Sequence, residues 1–205
     1  MIRMRTALIV SAACLSFVVL TSGCSLGTGG SISEKSISPQ SVAPSRPTLT
    51  ASKLQPPPQH NKYTTQGRPE VVFDPCTWIS DDTIRESGFD PATRKRGDDM
   101  IAEYSFLTCD FSSDSERLML NSGNATWDED LQKVGAYSDP IIVNGREALR
   151  VHDPKLSDDC QVDLRTRVGF VQITVSPGTW SSDPVDCNRA MTIASNIEKE
   201  IGKDN

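Results

Sequence analysis

The 205-residue chain has few of the residues on which catalysis and nucleic-acid binding usually depend. Histidine, the commonest general base, occurs only twice, at His60 and His152. Basic residues are scarce after position 71, where 14 Lys and Arg face 25 Asp and Glu. Because phosphate binding needs a basic surface, this acidic balance argues against a nucleic-acid partner. The sequence also contains no glycine-rich phosphate loop and no reactive-cysteine motif.

The sequence has no apolar run long enough for a membrane-spanning helix, which needs about 20 residues. Its longest run, Ala7 to Leu20, has fourteen residues. The run ends in Leu20-Thr21-Ser22-Gly23-Cys24, and small residues directly before a cysteine resemble a bacterial lipobox. We therefore predict a lipoprotein signal peptide over residues 1–23 and a lipid anchor of acyl chains, such as palmitate, on Cys24. An ordinary secretory signal with an incidental cysteine is the alternative.

Residues 24–71 have the composition of a tether rather than of a folded domain. They include seven prolines, Pro56-Pro57-Pro58 among them, many serines and threonines, and a single aromatic residue, Tyr63. A segment of this kind cannot bury enough apolar surface to offset its chain entropy. We therefore expect the lipidated cysteine and a disordered Pro/Ser/Thr-rich linker over 24–71, and a domain of about 134 residues over 72–205.

Four cysteines remain in the predicted domain, at Cys76, Cys109, Cys160 and Cys187. An even number of cysteines in an exported domain indicates a disulfide framework, for which three pairings exist. We favour Cys76–Cys109 with Cys160–Cys187, because each bridge then closes a single supersecondary unit. Zinc is the competing interpretation, but its ligands usually come as close pairs, whereas these cysteines are 33, 51 and 27 residues apart.

Local signals predict three helices in this domain. Ser80 is a good N-cap for a short helix, and Gly88 supplies its stop. Thr126-Trp127-Asp128-Glu129 forms a capping box that opens a second helix. The last helix is expected to be capped by Asp183 and to have Pro184 at its first position. The apolar stripe of this last helix predicts that it lies across a sheet.

Alternating apolar residues predict the strands. The runs are Tyr104–Phe111, Glu116–Asn121, a hairpin from Ile141 to Leu149, Cys160–Arg167 and Val171–Val175. Asn144-Gly145 gives the hairpin its turn, and in Cys160–Arg167 the apolar residues are expected inward and the charged residues outward. The expected fold class is α+β, with an antiparallel sheet of about five to six strands. A long C-terminal helix and short helices pack on that sheet, and two disulfides staple it.

No combination of residues in the domain predicts catalysis. His152 stands beside Asp153, and a triad with a serine such as Ser157 can be drawn, but no nucleophile-elbow motif supports it. Acidic clusters could offer calcium ligands, yet none follows the spacing that brings ligands round one ion. We therefore predict a protein without catalytic residues, metal or cofactor. The acidic clusters are Asp81-Asp82, Asp98-Asp99, Asp128-Glu129-Asp130 and Asp158-Asp159.

Trp180 is the candidate binding residue of the sequence. It follows the turn Pro177-Gly178-Thr179 before the last helix, and exposed tryptophans are typical anchors at binding surfaces. A buried position in the core is the alternative. Trp78 is two residues from Cys76, and we expect it to pack on a disulfide instead.

Several short motifs resemble a family of bacterial lipoproteins. They are Asp74-Pro75-Cys76-Thr77-Trp78, Gly88-Phe89, Cys109-Asp110-Phe111, Val143-Asn144-Gly145-Arg146-Glu147-Ala148, Cys160-Gln161-Val162 and Asp186-Cys187. Together with the lipobox and the linker, they are similar to the actinobacterial lipoproteins of the domain of unknown function 3558. This resemblance implies an outward-facing lipoprotein of the plasma membrane, and it carries over no catalytic residue.

These features lead us to expect a cell-envelope lipoprotein that is not an enzyme and acts as a binding or adaptor module. Its expected partners are the plasma membrane, through the lipid anchor, and an unknown envelope protein or lipid. Its expected location is the extracytoplasmic side of that membrane. The alternative is a carrier of lipid or glycolipid, which needs an apolar cavity of several hundred Å³.

Overall fold

The computed structural model describes residues 48–65, 67–179, 181, 184–203 and 205. The α-helices in these ranges are α1 (Pro75–Trp78), α2 (Asp81–Glu86), α3 (Trp127–Val134) and α4 (Cys187–Ile201), and none of them is long and apolar enough to cross a membrane. The strands are β1 (Asp90–Arg96), β2 (Met100–Ile101), β3 (Ser105–Ser112), β4 (Glu116–Gly123), β5 (Ser138–Val143), β6 (Arg146–Val151), β7 (Cys160–Arg165) and β8 (Phe170–Pro177). Short 3-10 helices lie at Ser52–Leu54 and Gly135–Tyr137.

The eight strands form one antiparallel sheet in the order β1-β3-β4-β8-β7-β6-β5, and β2 also pairs with β3. The predicted α+β class is confirmed, but the sheet has more strands than the five to six expected. The additional strands are β1 and β2. Most residues of β1 are exposed and several are charged, with Arg94 as a buried exception. Such an edge strand shows no apolar alternation, which explains why the sequence does not reveal it.

One face of the sheet carries the main core. Leu118, Val162 and Ile173, from β4, β7 and β8, point to this face, and α4 packs against them. The buried side chains of α4 are Ala190, Ile193, Ala194, Ile197 and Ile201. Removal of this apolar surface from water is the main stabilising contribution to the fold. We call this the covered face, and it confirms the prediction of a sheet packed under the C-terminal helix.

The opposite face, called the open face, is polar at its centre. Residues paired in register form a row across it, namely Thr108 on β3, Asn121 on β4, Gln172 on β8, Asp163 on β7 and Leu149 on β6. At the β6 end of the row, Val134 of α3 packs with Leu149 and Val151. Helix α3 therefore covers the β6 end of the open face.

The short helix predicted after Ser80 is confirmed as α2, and α1 precedes it. Ser80 Oγ accepts a hydrogen bond from the Thr83 amide at 3.1 Å. Gly88 follows α2 with a φ of 82°, a left-handed conformation that glycine adopts without steric cost. Asp74 caps α1 in a similar way, because its Oδ1 accepts from the Cys76 amide at 3.1 Å.

The last helix begins later than predicted. Helix α4 starts at Cys187, and Asp186 is its N-cap, whose Oδ1 accepts from the Asn188 amide at 3.0 Å. Asp183, the expected cap, lies outside the described residues, and Pro184 precedes the helix instead of opening it. Both aspartates suit an N-cap, so residue preference alone does not choose between them.

Both favoured disulfides are present, and the zinc interpretation is wrong. Cys76–Cys109 joins α1 to β3 with Cα atoms 5.1 Å apart, and Cys160–Cys187 joins β7 to α4 with Cα atoms 5.3 Å apart. Each bridge therefore fastens the first turn of a helix to a strand. A bridge that closes a loop of this length contributes about 3–4 kcal/mol by restricting the unfolded chain.

The predicted Asn-Gly hairpin is confirmed, and it docks on α4. Asn144 and Gly145 have φ values of 50° and 91°, the pair of left-handed residues that a type I′ turn requires. Asn144 Nδ2 donates to the Ser195 carbonyl at 2.7 Å, and Arg146 Nη2 donates to the Gly202 carbonyl at 2.7 Å. The second contact satisfies the Gly202 carbonyl, which follows the last turn of the helix and has no partner within it, while the first joins the hairpin turn to the body of the helix.

The folded unit begins before residue 72, which corrects the predicted boundary. Residues 48–65 and 67–71 lie against the domain, and Leu54 belongs to its core. Arg96 Nε donates to the Leu54 carbonyl at 2.9 Å, and Arg96 Nη2 pairs with Asp74 at 2.6 Å. The composition of the predicted linker does not show these contacts, because only a few of its residues make them. The other residues assigned to the linker, 24–47, lie outside the described ranges.

Candidate functional site

Two of the predicted site residues lie outside the residues that the structure describes. They are Cys24, the expected point of lipid attachment, and Trp180, the candidate binding anchor. Trp78, which we expected to pack on a disulfide, is half-buried against the core and meets Phe73 edge to face, with ring centroids 5.7 Å apart. Trp78 therefore contributes to the core rather than packing only on the disulfide.

The residues considered for a catalytic triad do not come together as one. His152 Nε2 pairs with Asp139 Oδ2 at 2.8 Å, while the neighbouring Asp153 accepts from a backbone amide. Ser157 Oγ donates to Asp158 at 3.4 Å. The His152 side chain is 46% exposed, so the pair lies on the surface of the β5–β6 hairpin.

Both carboxyl groups of the acidic cluster Asp81-Asp82 form ion pairs. Asp81 binds Arg94 at 2.8 Å, and Asp82 binds Arg85 at 2.6 Å. Among the described residues, no group of three or more His, Cys, Asp or Glu side chains is placed to hold a metal ion. The cluster at 128–130 is different, because one of its carboxyl groups points into the protein.

The sequence of α3 explains why Asp130 faces the sheet. The predicted capping box is present: Thr126 Oγ1 accepts from the Glu129 amide at 3.3 Å, and Glu129 Oε2 accepts from the Thr126 amide at 2.7 Å. From this helix start, Trp127, Asp130 and Val134 follow at spacings of three and four residues and share one face. Val134 packs on β6, so Asp130 is also turned toward the open face.

A cavity of about 240 Å³ opens beside Asp130, and we call it the α3 cavity. It is lined by Tyr104, Phe106, Ala125, Glu129, Asp130, Lys133 and Phe170. Phe106 and Phe170 meet edge to face, with ring centroids 6.0 Å apart, and supply apolar wall. Gly123 makes room for the Phe106 ring, because a Cβ at this position would lie 2.2 Å from the ring.

Two buried carboxyl groups stand at this place. Asp130 is 3% exposed and lines the cavity, and its Oδ2 has no hydrogen-bond partner among the described residues. Asp163 of β7 is 0% exposed, and its two oxygens accept from Gln161 Nε2 at 3.0 and 2.8 Å. A buried carboxylate without a counter-charge is costly, so such groups tend to take up a proton.

Burial raises the pKa of both carboxyl groups. For Asp130, loss of solvation raises the pKa to about 6, and Lys133 opposes the shift. For Asp163, loss of solvation and then the charge of Asp130 raise the pKa well above its ordinary value, against the effects of Gln161 and Lys133. Because each negative charge disfavours the other, ionisation of one carboxyl group depends on the state of its neighbour.

Glu129, at the rim of the same cavity, behaves in the opposite way. Arg68 binds its two oxygens at 3.0 Å each, and the Tyr104 hydroxyl donates to Oε1 at 3.1 Å. The Arg68 guanidinium, followed by the Thr126 amide, lowers the pKa of Glu129 to about 2. Arg68 belongs to the segment that the sequence assigns to the linker, so this segment helps to build the rim.

The α3 cavity can bind a small group that is apolar on one side and polar on the other. Phe106 and Phe170 offer ring carbon, and Asp130 offers a carboxyl group. Hydrolysis of a glycoside by the usual route needs two carboxyl groups that both reach the substrate. Glu129, the second carboxyl group of the cavity wall, has both oxygens bound by Arg68, and Asp163 is fully buried and is not part of that wall. The arrangement therefore suits binding better than this chemistry.

Sequence reasoning missed the roles of Asp163 and Phe170. The alternation of β7 correctly turns Asp163 away from the core, but it does not show that this residue is buried on the open face. The signal that was available is the helical spacing of Trp127, Asp130 and Val134, which places a carboxyl group on the inner face of α3.

The comparisons with known proteins agree with the motifs. A family model described as "Protein of unknown function (DUF3558)" matches residues 19–200. No curated protein and no solved structure matches the chain. The matched range contains both disulfides and both buried carboxyl groups of the open face. The chain therefore belongs to the family of the domain of unknown function 3558, as its cysteine and hairpin motifs predict.

Proposed function

We propose that the chain is a lipid-anchored binding module of the cell envelope, which catalyses no reaction and uses the α3 cavity to bind its ligand. The anchor is Cys24, and the domain stands on the extracytoplasmic side of the plasma membrane, where it meets an envelope protein or lipid. Three findings support this placement: the lipobox-like end of the signal, the two disulfides, and membership of the family.

The observation that carries the proposal is a cavity of about 240 Å³ that combines a buried carboxyl group, Asp130, with an apolar wall of Phe106 and Phe170. Asp130 has no ion-pair partner among the described residues, and a buried carboxylate without a partner is costly. A ligand that brings a polar or charged group to this carboxyl group and an apolar group to the rings fits both sides of the cavity.

The alternative function, carriage of a lipid or glycolipid, has less support. It needs an apolar cavity of about 300–1,000 Å³. The space between the sheet and α4 is filled by side chains such as Leu118, Ile173 and Ile193, all less than 2% exposed. The α3 cavity is smaller than a lipid needs and has a charged rim. The larger clefts beside Trp78, about 380 Å³, and beside Trp127, about 340 Å³, are partly open to solvent like the α3 cavity and do not enclose a lipid chain.

Native mass spectrometry of the full-length protein, extracted from its own membrane, tests the proposed function. We expect the wild type to retain a bound species of defined mass. Phe170→Ala and Asp130→Asn are expected to lose it, because they remove the apolar wall and the carboxylate of the cavity. Asp128→Asn is the matched control, since this carboxyl group lies two residues earlier on α3 and is exposed.

Thermal unfolding of each variant must show that it is folded before its mass spectrum is interpreted. A wild-type protein that carries no bound species would contradict the proposed function. A species that remains bound in both cavity variants would also contradict it, because the ligand would then occupy another place.

A further inference from the structure

We propose that the ligand of the α3 cavity carries an ammonium group on an apolar substituent. The ammonium binds Asp130, and the apolar part packs on Phe106 and Phe170. This inference rests on the proposed function and adds to it the chemical class of the ligand.

The carboxyl groups beneath α3 lack a fixed counter-charge. Asp130 and Asp163 are both buried, and no ion pair reaches either of them within the described part of the chain. Lys133 attracts both charges, but it is exposed at the rim. The nearby cation at the rim, Arg68, already binds Glu129. The site therefore holds negative charge that a bound cation would balance.

The carboxyl group of Asp130, which lines the cavity, favours a cation that can donate a hydrogen bond. A hydrogen bond from an ammonium group to a carboxylate is about twice as strong as one between neutral groups. A neutral donor would form a hydrogen bond but would leave the buried charge unbalanced. An ammonium group with N–H donors therefore fits the ionised carboxyl group better than a hydroxyl group does.

The apolar wall of the cavity determines the chemistry of the rest of the ligand. This wall presents the ring carbons of Phe106 and Phe170 and the methyl group of Ala125, against which an apolar substituent packs. The faces of the two rings also attract a cation. Cavities of about 150 Å³ accept benzene. The α3 cavity, at about 240 Å³, therefore has room for a phenyl-sized group with a short ammonium arm.

An organic cation suits the site better than a metal ion. In the part of the chain that the structure describes, no three metal-ligating side chains converge. Behind Asp130, both oxygens of Asp163 already accept hydrogen bonds from Gln161. Hard cations need about six oxygen ligands or more, and the ring carbons of this cavity cannot supply them.

Protons compete with the cation for Asp130. The ionisable groups that face it are Asp163 on β7 and Lys133 on α3 itself, and the Glu129–Arg68 pair stands at the rim. With its pKa raised to about 6, Asp130 is mostly protonated at about pH 5 and mostly ionised at about pH 7.5. Because the cation binds the ionised form, its affinity falls about tenfold between about pH 7.5 and about pH 5.

Isothermal titration calorimetry of the full-length protein tests the inference with two probes of matched shape, 2-phenylethylammonium and neutral 2-phenylethanol. At about pH 7.5 we expect the ammonium to bind at least about tenfold more tightly than the alcohol, and to lose about tenfold at about pH 5. Asp130→Asn is expected to remove the preference for the ammonium and its pH dependence. Asp128→Asn is expected to keep both within about twofold.

The outcomes separate this inference from the function on which it rests. Equal affinities for the two probes would overturn the ammonium class but leave the cavity as a binding site. Failure of both probes to bind would also overturn the ammonium class, while native mass spectrometry decides separately whether the cavity holds a ligand. A preference for the ammonium that persists in folded Asp130→Asn would overturn the role of Asp130.

Discussion

The two faces of the sheet are built from the same strands, yet they bury different kinds of side chain. On the covered face, apolar side chains interlock with α4, and buried groups have neighbours of their own kind. On the open face, α3 buries Asp130 and Asp163, and loss of solvation raises the pKa of each. One face therefore stabilises the fold by apolar packing, while the other buries carboxyl groups that no ion pair reaches among the described residues.

The largest expected effect is a difference in the free energy of unfolding between substitutions at two adjacent residues that lie on opposite faces. Ile173 is fully buried on the covered face, so Ile173→Ala should cost about 3–4 kcal/mol of the free energy of unfolding. Gln172 is half-buried on the open face, and Gln172→Ala should cost less than about 0.5 kcal/mol. Urea unfolding of both variants measures the difference. Similar losses would show that the open face shares the stabilising role.

Removal of the Cys160–Cys187 bridge measures how much this covalent link between β7 and α4 stabilises the covered face. The double variant Cys160→Ala/Cys187→Ala should lose about 3 kcal/mol, because the cysteines are 27 residues apart in sequence and the reduced chain gains loop entropy. Affinity at the α3 cavity should remain unchanged in the folded protein. Denaturant unfolding and probe titration give the two values, and a weaker probe affinity would connect the two faces.

Replacement of the cavity carboxyl group should stabilise the protein. The raised pKa of Asp130 means that the native state holds a proton more tightly than the unfolded chain does. Stability is therefore unaffected by this group below about pH 4 and falls as the pH rises from about 4 to about 6. Asp130→Asn should gain about 2 kcal/mol over the wild type at about pH 7.5 and almost nothing at about pH 4.

Urea unfolding at the two pH values measures this gain. Asp128→Asn is the control, because its exposed carboxyl group only favours the helix start, and it should lose less than about 1 kcal/mol at neutral pH. A loss of stability in Asp130→Asn at neutral pH would show that the carboxylate has a counter-charge in the native protein.

The smallest expected effect concerns the helix that covers part of the open face. Thr126→Ala removes the hydroxyl that accepts from the Glu129 amide, and should cost about 1 kcal/mol. Amide hydrogen exchange should show the loss concentrated in α3, with the protection of α4 unchanged. Uniform loss of protection across both helices would contradict the independence of the two faces.

Much of the covered face can be predicted from the sequence, because its signals are local. Val162 and Leu164 alternate with polar residues, Asn144-Gly145 defines its own turn, and the four cysteines of the domain allow only three pairings. The capping box of α3 is equally local. Each of these features depends on residues within one element or one turn, so the pattern contains the information.

The open face depends on contacts between distant residues, which a pattern does not contain. Arg68 meets Glu129 across 61 residues beside the open face, and on the covered side Arg96 likewise meets the Leu54 carbonyl across 42. Both contacts involve the segment that composition assigns to a disordered linker. Asp163 similarly reads as one surface charge among several, and only the position of α3 shows that it is buried.

The capping box has a consequence for how the protein responds to acid. Glu129 and Asp130 are neighbours in sequence, but their pKa values are about 2 and about 6, on opposite sides of the ordinary value. Mild acidification therefore neutralises the cavity wall while the bond between Arg68 and Glu129 persists. The ligand proposed for the α3 cavity would then leave it in mild acid while the protein stays folded, and would bind again when the pH rises.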